Sequence, residues 1–149
     1  MKIIKANKNY LNLIAPLFDA YRVFYKQDSD ILEAEKFISE RLENSDSIIL
    51  LVTNQAEDEA FGFAQIYPSF TSIGMKKIFI LNDLYVNEEY RKTGLARMLL
   101  EEVKSLAKEN NVSKITLKTA HSNIIAKRLY ESLGYERDNE FLSYNIGVL

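Results

Sequence analysis

The chain has 149 residues, 47% hydrophobic and 27% charged, with a net charge of -2, values that suit one globular domain without the basic surface that nucleic acid requires. It has no cysteine, which excludes disulfides, thiolate catalysis and cysteine-ligated zinc, and its one histidine, His121, cannot build a multi-histidine metal site or, without a Gly-x-Ser-x-Gly elbow, a serine triad. No signal-peptide pattern or membrane-length apolar run is present, so a cytoplasmic protein with no membrane partner and no metal is expected.

Residues 2–6 read as an opening strand, and Asn9 as the N-cap of a helix through Leu13, Ile14, Leu17, Phe18 and Tyr21. Pro16 falls inside that pattern, near its first turns or at a kink. After the polar turn at residues 27–30, Asp30 caps a second helix whose stripe is Ile31, Ala34, Phe37, Ile38 and Leu42. Residues 47–53 and 60–67 form a hairpin across an acidic turn, Pro68 ends the second strand, and residues 70–74 are a loop. The run 78–86 is a buried strand. After Asn87, Glu88 and Glu89, a helix follows with Leu95, Met98, Leu99 and Val103 at helical spacing, ending near Asn110 and Asn111. Residues 114–119 make another strand. Ser122 or Asn123 opens a last helix through Ala126, Leu129 and Tyr130, stopped by Gly134. Residues 135–146 finish the chain with strand-like segments separated at Arg137, Asp138 and Asn139. The expected fold is α/β, a single domain over residues 1–149 with a mixed, mostly antiparallel twisted sheet flanked by helices.

The most specific stretch joins the strand at 78–86 to the helix beyond it, through Arg91, Lys92, Thr93, Gly94, Leu95 and Ala96. Strand, tight turn and helix start bring free backbone N–H groups to one spot and attract anions. Gly94 permits close approach, Ala96 keeps the next turn clear, and Arg91, Lys92 and Arg97 add positive charge. Cations at a helix start oppose the helix dipole, which makes sense where an anion binds. A solvated loop that happens to carry lysine and arginine fits these residues equally well. Neither the Walker P-loop nor the Gly-x-Gly-x-x-Gly fingerprint is present.

A second pattern is Asn123, Ala126 and Tyr130, at i, i+3 and i+7 on one helix face, followed by Gly134 and Tyr135. A small residue between two polar ones leaves a groove with a hydrogen-bonding group at each end. An ordinary amphipathic helix with Tyr130 in the core accounts for the same spacing.

Together these residues resemble the GNAT superfamily of N-acetyltransferases. Arg91-x-x-Gly94-x-Ala96, after a strand ending Leu84-Tyr85-Val86, matches the family signature Gln/Arg-x-x-Gly-x-Gly/Ala. Asn123, Tyr130 and the Gly134-Tyr135 pair match its late motif, so the resemblance covers roughly residues 47–135. It implies acetyl-CoA as cosubstrate: residues 91–97 would hold its pyrophosphate, Leu84, Tyr85 and Val86 would pair with its pantetheine arm, and Asn123, Ala126 and Tyr130 would line the arm and the sulfur.

Acetyl transfer to an amine needs a neutral nucleophile, donors for the developing oxyanion, and a proton for the departing thiolate. Without cysteine, direct transfer is the simplest route. The hydroxyl of Tyr130, with a reference pKa of about 10, can protonate the thiolate. Asn82 and Asp83 stand ahead of the cosubstrate segment and, by strand alternation, are expected on opposite faces. Asp83 is a candidate base or a holder of a cationic acceptor. It is equally a polar group capping backbone at a strand bulge. The acceptor wall implied by the resemblance includes Tyr21, Tyr25, Tyr67 and Phe70, an aromatic set suited to a small cationic amine or, alternatively, to core packing. The expected function is therefore transfer of acetyl to a primary amine of a small molecule. The alternatives are a protein N-terminal or lysine acetyltransferase and a non-catalytic acyl-CoA-binding module. A homodimer is expected through the apolar alternation near the chain end.

Overall fold

Two periodicities divide the chain, one of 2 along its strands and one near 3.6 along its helices, and each element buries the stripe they define. The computed structural model describes all 149 residues, in two units, Met1–Leu117 and Lys118–Leu149. The first unit contains β1 (Lys2–Lys5), α1 (Leu11–Phe24), α2 (Ile31–Asn44), β2 (Ile48–Thr53), β3 (Ala60–Thr71), β4 (Lys76–Val86), α3 (Leu95–Glu109) and β5 (Lys114–Thr116). The second contains α4 (Ile124–Ser132). The five strands lie in the order β1-β2-β3-β4-β5. The first four are antiparallel neighbours and β4–β5 is parallel, so the sheet is mixed and mostly antiparallel as expected.

Strand alternation gives the sheet two apolar faces. Ile49, Leu51 and Phe63 pack with Ile14, Leu17 and Phe18 of α1 and Ala34 and Ile38 of α2. Helix α3 packs against β2, β3 and β4 and buries Leu95, Leu99, Leu100, Val103 and Ala107. Each such leucine contributes about 1.5–3 kcal/mol by leaving water. Leu100 joins this stripe, whereas Met98, expected in it, is 36% exposed. No helix is long and apolar enough to cross a membrane.

Asp19 ties α1 to the start of α2. Its carboxylate accepts from the Ser29 hydroxyl at 2.6 Å and the Asp30 N–H at 2.8 Å. These bonds, with Arg22 nearby, hold the Asp19 carboxyl below its usual range against the opposing effect of burial. Asp30 caps α2 as expected, accepting from the Glu33 N–H.

Four expectations change. A 3-10 turn (Lys8–Tyr10) precedes α1, so the cap is Asn7, which accepts from the Asn9 N–H, and Asn9 lies inside the turn. β3 does not stop at Pro68 but continues to Thr71, with Pro68 opposite Phe79. Pairing with β2 ends at Ile66, so Pro68 has a neighbour on one side only, where its missing N–H is tolerated. β5 ends at Thr116 rather than at residue 119. Residues 135–146 form no strand: Phe141, Leu142, Tyr144 and Ile146 are exposed, and Asp138 instead accepts from the N–H groups of Glu140 and Phe141 in a local turn. Alternation marks a segment able to become a strand, but only a partner's N–H and C=O groups make it one.

Candidate active site

After β4 the chain makes a 3-10 turn (Glu88–Tyr90), anchored by the Tyr90 ring against Phe61 at 4.5 Å. The Thr93 hydroxyl donates to the Tyr90 carbonyl. Two residues then take left-handed backbone, Lys92 at φ 63° and Gly94 at φ 87°, and turn the chain into α3. The first helical bond runs from the Met98 N–H to the Gly94 carbonyl at 3.0 Å, and no side chain caps the helix. The N–H groups of Leu95 and Ala96 therefore have no intrahelical acceptor. A Cβ placed on Gly94 would meet nothing within 4 Å, so the space outside this turn is open to a ligand.

Arg91 has a more structural part than its charge suggests. Its Nε donates to the Val86 carbonyl at 2.9 Å, and its guanidinium carbon lies 5.1 Å from the Phe24 ring centre and 5.4 Å from that of Tyr85. It braces the end of β4 against the turn. The backbone amides supply the converging donors.

The neighbouring strand edge is open as well. Pairing of β4 with β5 stops at Ile80 opposite Thr116, while on its other side β4 stays paired with β3 through Leu84, Tyr85 and Val86. Over residues 81–86 the edge toward β5 carries no strand partner. An open edge beside an uncapped helix start offers backbone hydrogen bonds to an extended ligand and anion-binding N–H groups to a phosphate. These features fit a pyrophosphate-bearing cosubstrate such as acetyl-CoA.

The β3–β4 ladder slips between Gln65 and Ile66. Gln65 faces Asp83, Ile66 faces Leu81, and Asn82 is the extra residue of a bulge. Strand alternation predicted Asn82 and Asp83 on opposite faces. The bulge undoes that, and the Asn82 amide Nδ2 reaches the Asp83 Oδ1 at 3.0 Å. Asp83 is only 5% exposed, and its other oxygen accepts from Gln65 Nε2 at 2.6 Å. Gln65 in turn accepts from the Ser47 hydroxyl at 2.9 Å. Gln65 and Ser47 are absent from the sequence-based site. The available signal was a single amide inside the apolar run 61–66.

Tyr21 brings α1 to this place: its hydroxyl donates to the Asn82 carbonyl at 3.5 Å, and its ring lies 5.8 Å from Phe63, 6.2 Å from Tyr85 and 5.0 Å from Tyr25. Tyr67 senses the same carboxylate. Burial and the Asp83 and Asp46 charges push its hydroxyl up to about 12, with Arg41 opposing. Phe70, expected with these aromatics, pairs with Lys77 and is 72% exposed. Five residues along β3 from Gln65, which faces Asp83, it lies about 17 Å away along the strand at ~3.4 Å per residue. It is not part of the cluster.

In the second unit, Asn123 caps α4 by accepting from the Ala126 N–H at 3.2 Å, which leaves its Nδ2 as the part suited to a ligand. Gly134, at φ 93°, ends the helix as expected. The Tyr135 N–H reaches the Tyr130 carbonyl and the Gly134 N–H that of Glu131, both at 3.1 Å, and the Tyr130 and Tyr135 rings pack at 5.8 Å. This closure fixes the turn that carries Tyr130.

Residues 14–135 match the sequence profile of the acetyltransferase (GNAT) family. The chain belongs to that family. Its likeness to an uncharacterized N-acetyltransferase of Bacillus subtilis, YhfO, is 44% identity over 99% of this chain and 98% of the relative. A crystal structure of a probable acetyltransferase superposes with a TM-score of 0.94 at 39% identity, covering 100% of this chain and 99% of that one. A D-amino-acid N-acetyltransferase of Saccharomyces cerevisiae is 34% identical over 58% of this chain and 54% of its own length. This GNAT protein is thus an acyltransferase with the mixed sheet of its family.

Proposed function

We propose that the protein transfers an acetyl group from acetyl-CoA directly to a primary amine of a small molecule. The observation that carries the acceptor class is Asp83: a buried carboxylate bonded by two uncharged amides, beside the aromatic residues Tyr21 and Tyr67. A buried anion without a cationic partner favours a ligand that brings one, and an ammonium also gains from nearby aromatic faces. The yeast relative is a D-amino-acid N-acetyltransferase, and D-amino acids are small amines, in keeping with this class.

Bound acetyl-CoA would supply the activated acetyl. The amides of Leu95 and Ala96, with Lys92 and Arg97, would hold its phosphates, and Thr93 braces the turn through Tyr90. Leu84, Tyr85 and Val86 would pair with its arm, and Asn123 and Ala126 would line it. Asp83 takes the first proton from the acceptor's ammonium and passes it to water. Asn82 holds Asp83 in position. Tyr130 would give its proton to the departing sulfur and regain one from water, while the nitrogen's second proton leaves to water as the C–N bond forms, so protons balance.

An acceptor screen with small amines and with peptides tests the class: turnover of amines is expected, and turnover confined to peptides contradicts it. Tyr130→Phe keeps the ring and removes only the proton, so kcat should fall at least ~10²-fold with little change in KM for acetyl-CoA. Normal kcat in the folded variant, with chemistry rate-limiting, removes the acid role.

The protein is also proposed to form a homodimer in which residues 135–149 pair with a second copy. Phe141, Tyr144, Ile146 and Val148 are exposed and alternate in part, and β5 ends the sheet with only three residues. Light scattering at micromolar concentration should give twice the chain mass, and a monomer contradicts it.

A further inference from the structure

The mechanism leaves unexplained a line of polar groups inside the apolar sheet. Ser47, Gln65 and Asp83 are 9%, 0% and 5% exposed, on the approach to β2, on β3 and on β4, and they touch in sequence. Register puts Gln65 opposite both Ile49 and Asp83, so all three lie on the face that packs against α1 and α2. A fully buried carboxamide in this position is unfavourable unless both its ends are satisfied. Both are, and in a fixed sense. The Ser47 hydroxyl can donate to Oε1, which commits Nε2 as the donor toward Asp83; the flipped amide would set oxygen against carboxylate.

We propose that Ser47 and Gln65 are positioning residues for Asp83, a two-member relay that holds its carboxylate in a fixed orientation from the buried side while Asn82 of the bulge holds its other oxygen. The inference rests on the reading of Asp83 as the base. Three features support it. The 2.6 Å contact from Gln65 is shorter than the 3.0 Å contact from Asn82, so the buried end of the carboxylate is held the more closely. The bulge lies at the Gln65–Asp83 pair itself, so the ladder breaks where the relay ends. The other groups near Asp83 do not replace that donor. Tyr67 of β3 stays protonated, Tyr21 of α1 bonds to the Asn82 carbonyl, and Arg41 of α2 is paired with Asp46 at 2.9 Å.

The relay makes a directional claim. The Gln65 N–H fixes the Asp83 carboxylate, so removing that donor should lower kcat with the best amine by about 10-fold, the worth of one hydrogen bond to a charged group, with KM for acetyl-CoA unchanged. Gln65→Met keeps length and apolar fit while removing the donor. Ser47→Ala leaves the donor but frees the amide to turn, so its loss of kcat should be smaller. Ser47→Thr restores the hydroxyl and should restore the wild-type kcat.

The test is steady-state kinetics of the full-length protein with the best amine, with Tm measured on each variant. A fall in kcat at unchanged KM for acetyl-CoA in Gln65→Met, a smaller fall in Ser47→Ala and recovery in Ser47→Thr support the relay. Normal kcat with lowered Tm overturns it and leaves the two residues merely structural. If Gln65→Met does not fold, the Ser47 pair decides alone. Asp83→Asn separates this from the underlying reading: near-normal turnover there removes Asp83 as the base, whereas lost turnover there with normal kcat in the Gln65 and Ser47 variants removes only the relay.

Discussion

At the start of α3 the donors are backbone N–H groups, held by a left-handed Gly94 and open to solvent; at the β3–β4 bulge the working groups are side chains, and the carboxylate is 5% exposed. The first region tolerates almost any side chain that leaves its backbone shape alone, so a large or negative residue at one position should ruin it. The second depends on side-chain chemistry at each position, and single-atom replacements should suffice there.

Asp83→Asn should break the comparison most severely from the reacting side. It keeps size and one of the two hydrogen bonds to the amides but removes the proposed base, so kcat should fall ~10²–10⁴-fold. Steady-state kinetics with the best amine reads this directly, and near-normal turnover would leave the bulge with only a packing role.

Gly94→Glu attacks the binding side. The residue sits at φ 87°, where a side chain is strained by about 1–2 kcal/mol, and the new carboxylate would oppose phosphate. Acetyl-CoA affinity should drop about 100-fold or more, with the strain alone accounting for roughly a factor of 5–30. Gly94→Ala isolates the strain, because its Cβ meets open space.

The smallest effect concerns neither half. Asp19 has a depressed carboxyl pKa, held by Ser29, Asp30 and Arg22. Its stabilisation is therefore present above the ordinary carboxylate range, about 4, and is lost as pH falls through the lower folded value. Asp19→Asn should lower Tm by a few degrees at pH 7, since ~1 kcal/mol moves a domain of this size by about 2–4 °C, and should flatten the loss of Tm on the acid side. A thermal scan against pH checks it; an unchanged acid limb of Tm would assign the acid sensitivity to other carboxylates.

The same contrast explains what could be read without a structure. Gly94, Ala96 and Arg91 were legible because a tight turn into a helix demands small or glycine residues at fixed spacing, and Gly134 was legible as a helix stop for the same reason. An apolar, β-branched run such as residues 47–53 is simple to read as a strand, and the order of elements followed from such runs, but register is not visible in one chain. Asn82 and Asp83 were therefore placed on opposite faces, and Gln65 was passed over, because a one-residue slip changes which side chains meet. Pro68 misled for a related reason: its effect depends on whether a neighbour strand needs its missing N–H, and that is decided by where β2 begins. The segment 135–146 has the alternation of a strand and no partner to complete one.

The most direct measurement is calorimetric titration of acetyl-CoA into wild type, Gly94→Glu and Asp83→Asn under one buffer. Division of labour between a backbone binding turn and a side-chain reacting bulge predicts equal affinity for wild type and Asp83→Asn, and loss of binding only in Gly94→Glu. Retained binding in Gly94→Glu, or its loss in a folded Asp83→Asn, would contradict the account.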